Sequence, residues 1–386
     1  MTPLSSSSAQ RAGGESLSRA ADPADHPCGL PAAPAIEEES GPDWPALADN
    51  AVIVDVHAHY LPASCIAPIP GGARPQPYAV HIAEPVSGDV LYSGAGAAEG
   101  CDAEQLFSLK RRRDDMQRQG VDRQVLSVPP PFGFFYELDP PRSLAICRAL
   151  NDALAQAAAG DPTRFIALAT VPLQSPDGAA GELERSVKEL GLRGAEIGTN
   201  VGGKNLDDAG LGPVYAKAQA LGVPLFIHST RSRALGGDRL QRYHLGNLVG
   251  NPTEDAVAAA CLIFGGVLEE FPRLKVYLAH GGGSCPFLAG RWDRGWQVRP
   301  EAKLRIPRPP SEYLGRLLFD SLTHSRSALG FLVEAVGAER VLLGSDYPYD
   351  MGEPNPVGTV TALPRLSDRE RALILGQNAA ELFQLG

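Results

Sequence analysis

The side chains best suited to chemistry sit at the ends of apolar runs. Val52-Ile53-Val54-Asp55-Val56 is largely β-branched, reads as a strand buried on both faces, and leads into His57-Ala58-His59. Alternate residues of a strand point the same way, so His57 and His59 project together. Two neutral imidazoles at a strand mouth supply half of a coordination sphere. Taken alone, such a pair reads equally well as a metal site or as two solvated histidines. Three later runs end in the same kind of residue: Phe226-Ile227-His228, Leu278-Ala279-His280 and Leu343-Gly344-Ser345-Asp346. One strand-end histidine is an ordinary rim residue, and one strand-end aspartate an ordinary helix cap. His57, His59, His228, His280 and Asp346 on four strand ends form a far more specific set. Nitrogen and oxygen donors favour zinc, with manganese or another divalent ion as alternatives.

These residues converge only if the strands lie side by side, so the elements between them matter. Eight short strand candidates follow one another: 52–56, 121–128, 165–171, 194–198, 223–228, 274–279, 317–321 and 341–344. Helical patterns separate most of them. Ala103 to Gln119 places Leu106, Leu109 and Met116 on one face and stops at Gly120. Pro141 to Ala159 starts on proline and ends before Gly160, and Ser175-Pro176 opens a helix that runs towards Gly191. Thr253 to Phe271 reads as one further helix. Alternating strands and helices mean a parallel sheet, and eight units in about 330 residues suit a (β/α)8 barrel, an α/β fold whose sites lie at the strand C-termini. A doubly wound open sheet is the alternative, but no Gly-x-Gly-x-x-Gly follows the first strand.

Composition sets the remaining bounds. Residues 1–46 are rich in Ser, Ala, Gly, Pro and acidic residues without a periodic apolar face, and read as a mobile tail. The barrel is expected over 47–386, with a Gly- and Pro-rich insertion without strands at about 65–100. In a chain of 386 residues, a net charge of −10 argues against nucleic acid as a partner. No apolar run reaches the length of a membrane span, and no basic region followed by an apolar stretch opens the chain. The cysteines (Cys28, Cys65, Cys101, Cys147, Cys261, Cys285) are scattered and include no Cys-x-x-Cys pair, as expected of reduced thiols in a cytoplasmic protein.

Several motifs resemble those of the amidohydrolase superfamily, and within it the aminocarboxymuconate-semialdehyde decarboxylase family. They include His57-Ala58-His59-Tyr60-Leu61-Pro62, Leu248-Val249-Gly250-Asn251-Pro252, Ala279-His280-Gly281-Gly282-Gly283 and Leu343-Gly344-Ser345-Asp346-Tyr347-Pro348. The resemblance covers about residues 52 to 383, apart from the insertion. It implies one divalent metal on His57, His59, His228 and Asp346, with His280 as an unbound catalytic histidine and Asp346 shared between metal and chemistry. No lysine follows strand four, where dinuclear members carry a carboxylated bridge; Glu196 stands on that strand, which favours a single metal.

The implied activity is a metal-dependent, non-oxidative decarboxylation of a small unsaturated or aromatic carboxylic acid. Hydrolysis of an amide, lactone or C–C bond by the same centre is the alternative, and a metal-binding scaffold without activity would have been favoured by loss of a ligand. The family's carboxylate-binding arginines fall near Arg74, in the insertion, and on Arg299, which the family donates across a homodimer interface. His324, after strand seven, is a further candidate for contact with substrate. The family's His-Pro-Trp at strand five is replaced here by His228-Ser229-Thr230, so one wall of the pocket differs.

Overall fold

Each of the eight apolar runs forms a strand. In chain order these are Val54–His59, Arg123–Ser127, Phe165–Ala167 continued by Ala169–Thr170, Ala195–Gly198, Pro224–His228, Lys275–Leu278, Leu318–Asp320 and Val341–Leu342. The computed structural model describes residues 52–62, 64, 79–83, 90–95, 103–130, 132–230 and 235–385. The expected tail over 1–46 and Arg74 lie outside the described residues.

Successive strands pair in parallel. The third changes partner at Leu168, whose N–H donates to Leu126, while the N–H of Ala169 donates to Gly194. Strand eight meets strand one through Val56 N–H to Leu343 O and Asp346 N–H to His57 O, both 2.8 Å. The ring is thereby closed into a (β/α)8 barrel, whose own eight strands form no open edge. Val54, Val56, Phe226, Tyr277 and Leu342 pack together in one buried cluster, with Leu382 and Phe383 of the last helix against them. A larger cluster joins strands to the surrounding helices.

Strand one departs from simple alternation. Its register against strand two slips between Asp55 and Ala58. Val56 lies in the same cluster as Phe226, yet the ring of His57 also comes within 5.0 Å of Phe226. Consecutive residues therefore reach the same interior, as a bulge allows, and the slip re-aims the metal-competent end of the strand.

The helices begin and end where local chemistry directs. Ser108 caps Leu109–Gln119 by accepting from the Arg111 N–H, and Gly120 closes it at φ 71°. That cap divides the expected Ala103–Gln119 helix, leaving Ala103–Phe107 as a separate turn. Asp139 caps Pro140–Ala159. Ser175 precedes Pro176–Lys188 but makes no capping hydrogen bond, contrary to expectation. The expected Thr253–Phe271 helix is instead Asn251–Phe264 followed by Val267–Glu270, broken where Gly266 adopts φ 79°. The insertion was expected to hold no strand, yet Ala79–Ala83 and Val90–Ala95 pair as an antiparallel hairpin. Among the described residues no helix is long and apolar enough to cross a membrane.

Candidate metal centre

The barrel brings four of the five strand-end residues to one point. One donor atom each from His57, His59, His228 and Asp346 lies within 4.8 Å of the others, and all four residues are buried. His57 Nε2 is 3.2 Å from His59 Nε2, and Asp346 Oδ1 is 3.2 Å and 3.1 Å from those two nitrogens. Neither His228 Nε2 nor Asp346 Oδ1 completes a hydrogen bond, although both are buried. Buried polar atoms without partners are costly unless something binds them, and convergent lone pairs on nitrogen and oxygen fit a divalent cation.

The opposite ring nitrogens are fixed from behind. His57 Nδ1 meets Asp320 Oδ2 at 2.6 Å, His59 Nδ1 meets the Ser127 hydroxyl at 3.1 Å, and His228 Nδ1 meets the Ser229 carbonyl at 3.0 Å. Such contacts set the tautomer that leaves Nε2 for the metal. Burial lowers the pKa of His59 to about 4 and that of His228 well below the usual value, so both are neutral and able to ligate at neutral pH. At His57 burial opposes charge, but Asp346 and Asp320 outweigh it and draw the pKa up. The same two carboxylates favour a divalent cation in place of that proton. Burial also opposes ionisation of Asp346, yet His57 and His59 hold it well below the usual carboxylate range.

Asp55 braces the arrangement from below. It accepts from the N–H groups of His57 and Ser345, from the Ser345 hydroxyl and from Gln124. Gln124 in turn accepts from Arg112, a fully buried guanidinium that also donates to the His59 carbonyl. Strands one, two and eight are thus locked in register just under the ligands. Gly344 is required there, because a Cβ would come within 2.7 Å of Asp320 and 3.1 Å of His57.

His280 stands beside the cluster but outside it. Its ring centroid is 5.0 Å from His228 and 5.5 Å from His57, and Nδ1 is held at 2.8 Å by buried Asp255. Burial opposes charge on His280, but the charge and hydrogen bond of Asp255 prevail and raise its pKa. The amides of the glycine run are engaged within the fold rather than turned to the pocket. His280 and Gly281 donate to Asp320, and Gly282 and Gly283 donate to the carbonyls of Ala279 and His280. The glycines serve close packing instead: at Gly283, φ 59°, a Cβ would lie 1.8 Å from the Pro252 carbonyl.

A cavity of about 490 Å³ opens over His280 and Asp346, walled largely by apolar side chains such as Phe287, Leu322, Phe331 and Leu332. His280, His324 and Asp346, which all line it, have left-handed backbones at φ 54°, 52° and 59°. That conformation costs a non-glycine residue on the order of 1 kcal/mol, and such residues concentrate at functional sites.

A family model described as amidohydrolase matches residues 54–385. The chain belongs to the amidohydrolase family. It is 42% identical over 276 residues to 2-amino-3-carboxymuconate-6-semialdehyde decarboxylase of Dictyostelium discoideum, which covers 71% of this chain and 76% of that one. Among solved structures, 5-carboxyvanillate decarboxylase of Sphingomonas paucimobilis matches with a TM-score of 0.67 and 30% identity, covering 73% of this chain and 85% of that chain. The corresponding decarboxylase of Novosphingobium aromaticivorans, solved with bound manganese, matches with a TM-score of 0.67 and 27% identity over 73% of this chain and 83% of that chain. These similarities place the protein among the metal-dependent, non-oxidative decarboxylases of the amidohydrolase superfamily.

In this amidohydrolase the expected substrate contacts are distributed unevenly. His324 is exposed and lines the cavity. Arg299 is exposed at the far end of helix Cys285–Val298, whose first turn contributes Pro286 and Phe287 to the cavity wall. Fourteen helical residues span about 20 Å, so Arg299 does not reach the cavity of its own chain. No arginine or lysine is among the described residues lining that cavity. Sequence reasoning missed Asp255, Asp320 and Ser127. Asp320 ends strand seven just as the ligands end theirs, so the same signal could have found it. Asp255 reads as an ordinary acidic residue near a helix start, and Ser127 as an ordinary strand residue.

Proposed function

We propose that this amidohydrolase removes carbon dioxide from a small unsaturated or aromatic carboxylic acid, with one divalent ion, zinc or alternatively manganese, on His57, His59, His228 and Asp346. The observation that carries this reading is the division between four convergent donor atoms and a separate, carboxylate-oriented His280 at the cavity floor. A divalent ion held by these four residues would supply Lewis acidity towards the charge of a carboxylate substrate. His280 donates through Nδ1 to Asp255, which leaves Nε2 to carry a proton towards the carbon that keeps the electron pair. The apolar wall of Phe287, Phe331 and Leu332 suits an aromatic or unsaturated skeleton.

Incubation with 5-carboxyvanillate and with 2-amino-3-carboxymuconate semialdehyde, the substrates in the names of its relatives, tests this. One equivalent of carbon dioxide per substrate consumed is expected from at least one of them or from a related acid. Release of an acid with an amine, alcohol or ketone from amide, lactone or C–C substrates, and no carbon dioxide from any acid, would replace decarboxylation with hydrolysis.

The same reading favours a homodimer. Phe287 is 80% exposed and touches exposed Phe331, and Val298 and Leu304 are further exposed apolar side chains. Burying them against a second copy would carry the exposed arginines of helix Cys285–Val298 towards a neighbour's cavity. Arg299 is the one to which the resemblance points, and Arg291, one turn from Phe287 on the same face, is the internal comparison. A guanidinium matches a carboxylate through two parallel hydrogen bonds. An Arg299→Ala chain is expected to be inactive with its metal retained, and to recover partial activity when mixed with an inactive His280→Ala chain. No recovery despite demonstrated subunit exchange removes Arg299 from the neighbour's site, and recovery with Arg291→Ala alone would transfer the role to Arg291.

A further inference from the structure

The three histidine ligands differ in what holds their second nitrogen. Once Nε2 is given to a metal, Nδ1 of a neutral imidazole carries the hydrogen and must donate it. For His57 the acceptor is the Asp320 carboxylate at 2.6 Å, and for His228 it is the Ser229 carbonyl at 3.0 Å. Both acceptors are complete in themselves. For His59 the acceptor is the Ser127 hydroxyl at 3.1 Å. A hydroxyl that accepts from His59 still carries its own hydrogen, and that hydrogen needs an acceptor. Ser127 is 1% exposed, so water does not readily supply one.

Glu196 is placed to do so. It lies on strand four, aligned with Phe226 of strand five, while the next residue facing the same way, Gly198, is aligned with His228. Its carboxyl therefore sits one layer of side chains beneath the ligand layer of the barrel. It is 1% exposed, and neither Oε1 nor Oε2 completes a hydrogen bond. The Ser127 side chain is nonetheless within hydrogen-bonding reach of it, and a Cβ on Gly133 would lie 3.5 Å from Oε2. With His59 Nδ1 as the donor, a buried carboxyl with unused acceptor atoms beside a hydroxyl with an unused hydrogen is an incomplete pair that a Ser127-to-Glu196 hydrogen bond completes.

We infer that Glu196 is a positioning residue for the metal centre, accepting from the Ser127 hydroxyl so that Ser127 accepts from His59 Nδ1 and His59 presents Nε2 to the ion. The relay His59–Ser127–Glu196 gives His59 an acceptor behind Nδ1, as Asp320 does for His57, one residue removed. It does not depend on the charge of Glu196, because a carboxylate and the carbonyl oxygen of a neutral carboxyl both accept. It rests on the assignment of His59 as a ligand.

The test uses the full chain and the metal ion alone, with zinc or manganese affinity measured by competition with a chromophoric chelator. Glu196→Met removes the acceptor in a similar volume and is expected to weaken the metal by about 10- to 100-fold, a usual effect of losing a partner of a ligand. Glu196→Gln keeps an acceptor oxygen and is expected to stay within about threefold of the parent. Ser127→Ala breaks the relay at its centre and is expected to match Glu196→Met, and the double variant to lose no more than either single one. A purely structural Glu196 would instead lower the melting temperature of the metal-free protein and leave metal affinity unchanged in folded variants. Parent-like affinity in Glu196→Met, or losses that add in the double variant, would overturn the relay. Should Glu196→Met not fold, parent-like affinity in Ser127→Ala overturns it alone. A parent protein that binds no metal would instead overturn the assignment of the centre itself.

Discussion

Removal of the divalent ion is expected to abolish turnover, and return of one equivalent per chain to restore it. Four donor atoms within 4.8 Å of one another, two of them buried without completing a hydrogen bond, are arranged to receive a cation. His59 and His228 are neutral at pH 7, so binding there displaces no proton, whereas Asp320 and Asp346 supply the negative charge. Replacing His228 with Ala leaves two nitrogens and one oxygen. Metal content is then expected to fall from one per chain to below about a tenth at micromolar free metal, with activity at background. Stability follows the same centre, because an ion bound at a thousand times its dissociation constant stabilises the fold by about 4 kcal/mol. The stripped protein should therefore melt at lower temperature, and the His228→Ala protein should melt at one temperature with or without added metal. Full activity after exhaustive chelation, verified by elemental analysis, would remove the metal from the mechanism.

Why the centre was legible in the sequence follows from how a barrel works. Strand C-termini converge, so an imidazole or carboxylate at the end of an apolar run already announces its position, as His57, His228 and Asp346 do. The strands themselves were legible because both faces are buried and the runs are continuous rather than alternating. What supports the ligands was not. Asp255 reaches His280 from a helix, Gln124 and Arg112 reach Asp55 and His59 from neighbouring elements, and Ser127 reaches His59 across 68 residues of sequence. Polar residues inside elements carry no periodic signal that separates a buried partner from a solvated one. Helix breaks were missed for a related reason. Ser108 and Gly266 each interrupt an apolar pattern that continues past them, and local capping or a left-handed glycine wins over periodicity. The slip after Asp55 was also hidden, since strict alternation already placed His57 and His59 together.

Replacement of His280 by Ala is expected to lower turnover by about a thousandfold while metal content stays near one per chain. General acid–base catalysis by a positioned side chain contributes about 10²–10⁴-fold, and His280 is the one imidazole of the cluster with a carboxylate partner and no place among the ligands. Metal retention is the deciding readout, because an emptied site would make His280 a ligand and leave its proton-transfer role without support. The substitution leaves a Cβ in a left-handed backbone, so a melting temperature close to the parent's is needed for the comparison. Asp255→Asn separates orientation from proton donation. Asparagine keeps an acceptor oxygen for His280 Nδ1 but carries no charge, so the imidazolium loses its counter-charge. Asp255 raises the pKa of His280, so the protonated form persists to higher pH in the parent than in the variant. If the protonated form is the active one, activity fails as pH rises through that pKa, and the basic limb of the kcat profile in Asp255→Asn should move to lower pH. A basic limb that stays in place, with kcat otherwise intact, would show that Asp255 does not govern the proton held by His280.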